Sequence, residues 1–164
     1  MSNPHECARH EMSRHIDKDE DTAVNQPSMS APNILVVDAD PVASSAVQSR
    51  LTAVGCEVVT VASGAAALQA AATRRPHLMI LDLTLDGEPS DAMRDGFALL
   101  GWLRFRLPDT SFPVIIHTVD DSAKVKERAG AEGVYAVVAK TRDMTALLDA
   151  VQRALQEFAT PSSV

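Results

Sequence analysis

Residues 33–41 read NILVVDADP. Ile34, Leu35, Val36 and Val37 form an apolar run with no polar interruption, so the alternation of a half-exposed strand is missing. A strand of this kind is buried on both faces, and such strands belong to parallel sheets covered by helices. The run stops on acid, at Asp38-Ala39-Asp40, and Pro41 follows. Proline suits the first position of a helix, and an aspartate just before it is a good N-cap. A central strand therefore ends, a carboxylate stands at its C-terminal end, and a helix begins. In open α/β sheets, ligands bind at that end of the strands.

Working outward, the pattern alternates. Strands are predicted at 34–37, 57–61, 78–81, 114–117 and 134–139, and helices at 41–54, 64–74, 96–107, 122–129 and 143–158. Gly55 stops the first helix, and Pro76 lies just beyond the second. The last helix carries Met144, Leu147, Leu148, Val151 and Leu155 on one stripe. A long acidic loop, 83–94, holds Asp86, Glu88 and Asp91, with a solvated surface loop as its ordinary reading. Five β-α units with short connections imply an α/β fold: a doubly wound, five-stranded parallel sheet with helices on both faces. Order 2-1-3-4-5, the flavodoxin-like arrangement, is a common solution and sets the crevice between the first and third strands. In that order Asp38, Asp82, Thr118 and Lys140 line one rim.

The chain has 164 residues, suited to one domain with some excess. The expected organisation is a polar disordered tail at 1–32, a domain at 33–158 and a short tail at 159–164. Hydrophobic residues make up 46% and aromatics only 4%, so the core must be aliphatic. The net charge of −7 argues against nucleic acid or an anionic membrane as the partner. No apolar run is long enough to span a bilayer, and the N-terminus lacks the apolar centre of a secretory signal. Cys7 and Cys56 make no disulfide framework, and the Cys7/His10 pair has no second pair to complete a tetrahedral metal site. A cytoplasmic protein is expected.

Two carboxylates, a hydroxyl and an ammonium on one rim suit phosphoryl chemistry. Mg2+ takes one or two carboxylates plus phosphate oxygens and keeps several waters. A carboxylate can also attack phosphorus and become an acyl phosphate. Phosphoryl transfer asks little more than positioning and charge neutralisation, which Lys140 and a metal would supply. Together the segments ILVVDADP, LMILDLTL, Asp95-Gly96 at the third helix, PVIIHT and VVAK resemble the receiver domain of two-component response regulators. The resemblance covers about 33–158. It implies that Asp82 is the phosphoacceptor, fed by a sensor histidine kinase or a histidine phosphotransfer protein. It implies Mg2+ held by Asp38, Asp82 and the backbone carbonyl of Thr84. It also implies that Thr118 and Lys140 read the phosphoryl group and move the face of the fourth helix, fifth strand and fifth helix. That face would meet a downstream protein. Receivers often pair through their last helices, so a homodimer is among the expected partners. Only a short tail follows residue 158, so the expectation is a stand-alone receiver, a signalling protein and not an enzyme.

The departures raise two alternatives. The family usually has two adjacent acids after the first strand, and here Ala39 replaces the second. Asp40 is a candidate substitute ligand, with helix N-capping as its competing role. Without the second acid, a phosphorylation-independent pseudo-receiver that only binds partners is one alternative. The other is a phosphatase similar to the haloacid dehalogenases, with Asp38 as nucleophile and Asp40 as acid/base. Thr141 follows Lys140 where the family favours proline, and Val137 stands where it often has a switching aromatic. Tyr135 is nearby but is expected to face the other side. His117 is expected to be a packed residue, and Trp102 and Phe105 members of an amphipathic helix face.

Overall fold

The computed structural model describes residues 30–87, 91–107 and 109–159. Its elements are β1 (Asn33–Val37), α1 (Pro41–Ala53), β2 (Glu57–Val61), α2 (Gly64–Thr73), β3 (Leu78–Leu81), α3 (Gly96–Arg106), β4 (Val114–Thr118), α4 (Ala123–Ala131), β5 (Ala136–Ala139) and α5 (Thr145–Ala159). The strands form one parallel sheet in the order β2-β1-β3-β4-β5, as predicted. The predicted tail at 1–32 lies outside the described residues except for its last three.

The sheet's two faces explain why β1 and β3 lack alternation. Leu35, Val37, Met79, Leu81 and Ile116 join one core cluster with α2 and α3. Ile34, Val36, Leu78, Ile80 and Ile115 join another with α1 and α5. Each successive side chain thus enters apolar surroundings, whichever way it points. β2 is an edge strand and is only partly buried. In α2 the buried residues are Gly64, Ala67 and Ala71, whose small size lets that helix lie close to the sheet.

The capping residues set the boundaries. Asp40 accepts from Val42 N and caps α1, with Pro41 at the first helical position. Ser122 accepts from Val125 N, so it is the N-cap of α4 and not its first residue. Asp143 accepts from Thr145 N, which starts α5 two residues later than predicted. β5 also starts later than the predicted 134. Gly133 turns with a φ of 73°, and Val134 N still donates to Ala129 O of α4.

The loop after β3 departs most from expectation. Leu85 is 2% exposed. Thr84 pairs with Asp95, and Asp86 with Ser63, the N-cap of α2. Ala92–Arg94 forms a 3-10 turn capped by Asp91. Met93 presses on the start of α2, where a Cβ on Gly64 would lie 2.6 Å from both Met93 Cβ and Met93 O. The described part of this loop is therefore tied down to the fold.

Candidate functional site

The strand ends are stitched together by their backbones. Asp38 N donates to Val61 O, Asp82 N to Val37 O, and Lys140 N to Thr118 O, at 3.0, 2.9 and 2.8 Å. Asp38, Asp82, Thr118 and Lys140 therefore stand on one rim, and β1 and β3 bring the two aspartates onto neighbouring strands.

Lys140 leaves the end of β5 and reaches past β4 to both acids. Its Nζ lies 2.7 Å from Asp38 Oδ2 and 2.8 Å from Asp82 Oδ2. The side chains of Lys140, Asp38 and Asp82 are 15%, 4% and 13% exposed, so the triad is largely shielded from water. Backbone amides hold the other carboxylate oxygens: Asp40 N donates to Asp38 Oδ1 at 2.8 Å and Leu83 N to Asp82 Oδ1 at 2.7 Å. Burial alone would lower the Lys140 pKa, but its bonds to Asp38 and Asp82 outweigh that and raise it above the ordinary lysine value. The ammonium is therefore charged throughout the physiological range.

Thr118 is buried, and its Oγ1 accepts from Asp120 N at 3.2 Å in the segment that leads into α4. His117 is buried too. Desolvation, followed by the positive charge of Lys140, lowers its pKa against the opposing pull of Asp38 and Asp82. Asp40, a candidate ligand from the sequence, spends Oδ1 on Val42 N at 2.9 Å as the α1 cap. Val137 packs with the α2–α3 cluster and Tyr135 with the α1–α5 cluster. The two stand an even step apart, and they part because Tyr135 lies before the first residue of β5, outside its regular alternation. Tyr135 is further tied by its hydroxyl to Glu157 at 3.0 Å.

Gly96 acquires a role beyond its place in the Asp95-Gly96 motif. A Cβ there would lie 2.5 Å from Asp82 O and 3.1 Å from Leu83 Cα. Only a residue without a side chain lets α3 begin against the backbone of Asp82. Gly96 N also donates to Leu83 O, and Leu85 N to Arg94 O, which fixes the backbone on either side of Thr84. The sequence signal was a glycine directly after a helix N-cap, but its neighbour across the turn could not be read from it.

Asp38 and Asp82 present two neighbouring carboxylates, a donor set that fits Mg2+, which accepts one or two carboxylates with water filling the rest. Among the described residues, no group of three or more His, Cys, Asp or Glu side chains is placed to hold a metal, in keeping with Ala39 standing where a third carboxylate would be.

A five-stranded parallel sheet between two helical layers, with two strand-end acids sharing a lysine, is the architecture of a receiver domain. The family model for the response regulator receiver domain matches residues 34–152, and the chain belongs to this family. It is 33% identical over 127 residues to the transcriptional regulatory protein GlrR of Escherichia coli strain K12, a match covering 77% of this chain and 27% of that protein. It is 31% identical over 124 residues to the heme response regulator HssR of Staphylococcus aureus, covering 76% of this chain and 51% of that one. The chain thus spans about half or less of the length of these relatives. Among solved structures, the chemotaxis protein CheY4 of Vibrio cholerae superposes with a TM-score of 0.66 at 26% identity, covering 76% of this chain and 98% of that chain. The receiver domain of an HD domain-containing protein from Pseudomonas fluorescens Pf-5 gives a TM-score of 0.68 at 28% identity, over 80% of this chain and 99% of that chain. Among the described residues, no helix is long and apolar enough to cross a membrane.

Proposed function

We propose that this receiver accepts a phosphoryl group on Asp82 from the phosphohistidine of a sensor histidine kinase or histidine phosphotransfer protein. The observation that carries the reading is the shared grip of Lys140 on Asp38 and Asp82 at adjacent strand ends. A carboxylate oxygen of Asp82 attacks phosphorus, the P–N bond breaks, and the imidazole leaves with the bonding pair. Asp38, Asp82 and the Thr84 carbonyl would hold Mg2+, which when bound neutralises charge on the transferring group. Lys140 supplies the fixed positive charge on the other side.

The signal then starts at Thr118. Its hydroxyl serves Asp120 N, and turning it to donate to a phosphoryl oxygen would free the segment entering α4. Phosphorylation would thereby shift a balance between two conformations of the α4–β5–α5 face, where a downstream protein would bind. On this reading the chain is a cytoplasmic signalling module without turnover of its own.

The pseudo-receiver reading draws support from Ala39 together with Lys140, which bridges both acids and offsets one of their two charges. The phosphatase-like reading is disfavoured because Asp40 is committed to capping α1. Incubation with acetyl phosphate, with and without Mg2+, separates the readings by intact mass. A Mg2+-dependent gain of one phosphoryl group, absent in Asp82→Asn, is expected. No adduct at millimolar Mg2+ would leave the pseudo-receiver.

A further inference from the structure

α3 has two apolar stripes. Gly96, Phe97, Leu99, Leu100 and Leu103 are buried in the fold. The opposite stripe is Ala98, Gly101, Trp102 and Phe105, which together line a shallow apolar surface depression. Trp102 is 39% exposed and Phe105 79% exposed. Their rings meet edge-on, with centroids 6.3 Å apart at 84°. In a chain with one tryptophan and four phenylalanines, placing two large rings side by side in water calls for a cause outside the domain. Gly101 calls for one too. A glycine weakens a helix interior, yet a Cβ here would meet nothing within 4 Å. Nothing within the fold requires this glycine, whereas the close approach of another helix would.

We propose that this face is a self-association surface on which two copies of the chain pack their α3 helices antiparallel about a two-fold axis. The order of the residues is self-complementary about the point between Gly101 and Trp102. In an antiparallel pair, Phe105 of each copy faces Ala98 of the other, and Trp102 faces Gly101. Every ring meets a small residue, and each contact occurs twice, as an isologous interface requires. The charges agree. α3 carries Arg104 and Arg106 near its C-terminal end and has Asp95 at its N-cap. Arg104 turns aside to Glu132, at 2.8 Å. Arg106, one turn after Trp102, forms no ion pair among the described residues, and antiparallel packing brings it to the other copy's first turn, where the Asp95 carboxylate is half exposed and its own partner, Arg128, stands off at 3.8 Å. Parallel packing would set arginine against arginine, and the helix dipoles would add to the repulsion.

One helix from each copy makes an interface at the small end of the specific range, so a dissociation constant in the micromolar range is expected. The test uses the full chain, by sedimentation velocity and by emission of its single tryptophan, from about 5 to about 500 µM. The expected result is a shift from one chain to two, with Trp102 emission moving to the blue over the same range. Gly101→Leu, whose side chain has open space in the monomer, should weaken association at least tenfold while the circular dichroism stays that of the parent. Phe105→Ala and Arg106→Glu should weaken it less. A chain that stays monomeric throughout would overturn the proposal. So would a dimer in which Trp102 emission is constant and Gly101→Leu has no effect.

Discussion

Replacing Lys140 with methionine keeps most of the buried stem and removes the ammonium. The two oxygens it now bridges lie 2.7 and 2.8 Å from Nζ, so they are no more than about 5.5 Å apart. Two unit charges at that separation repel by about 3 kcal/mol at an effective dielectric of about 20. Breaking a buried ion pair by removing one partner typically costs about 3–5 kcal/mol. Relaxation and water entry trim this, and we expect Lys140→Met to lose about 3 kcal/mol near pH 8. In the parent, Lys140 has a raised pKa, so its contribution is complete below the ordinary lysine value and is lost only as pH climbs through the raised one. In the variant, protonating one carboxylate relieves the repulsion, so the deficit should shrink as pH falls into the ordinary carboxylate range. Urea unfolding followed by circular dichroism, near pH 8 and near pH 4.5, measures both values. Millimolar Mg2+ should restore more stability to the variant than it adds to the parent, because the ion would replace a missing cation. A deficit below about 0.5 kcal/mol near pH 8, or one that is the same at both pH values, would refute the reasoning.

Asp40→Ala should cost about 1 kcal/mol, the usual loss for a helix N-cap, and leave the Mg2+ half-saturation within about twofold by calorimetry; a large change in Mg2+ affinity would place Asp40 among the ligands. Gly96→Ala should destabilise by about 1–3 kcal/mol in urea, because its Cβ would lie 2.5 Å from Asp82 O, and should slow phosphoryl uptake from acetyl phosphate more than Asp40→Ala does. His117 should titrate below the ordinary histidine value by NMR of its ring carbons. Because its folded pKa is depressed, it takes away stability as pH falls through the ordinary value toward the lowered one, and a midpoint at or above the ordinary value would contradict its burial.

The sheet was legible because β1 and β3 announce burial on both faces, and the rim followed once their order was fixed. The element ends were less legible. Asp40 reads as a cap because Pro41 follows it, whereas Ser122 and Asp143 suit either a cap or a first helical turn, and only backbone geometry separates the two. The loop after β3 reads as surface because it is polar, yet its anchorage depends on Gly64 lying under Met93, a contact that local pattern cannot report. α3 is apolar nearly all round, so its periodicity could not say that Trp102 and Phe105 face outward. Lys140 was expected to read a phosphoryl group. That it grips Asp38 and Asp82 together depends on the length of its stem across β4, which is a fact of packing and not of spacing.

The most direct test of the central claim is to locate the acyl phosphate. After reaction with acetyl phosphate and Mg2+, borohydride reduction converts a phosphorylated aspartate to homoserine, which peptide mass mapping assigns to a position. Homoserine at 82 and an unmodified Asp38 are expected. Modification at Asp38, or at no aspartate of the rim, would contradict Asp82 as the phosphoacceptor.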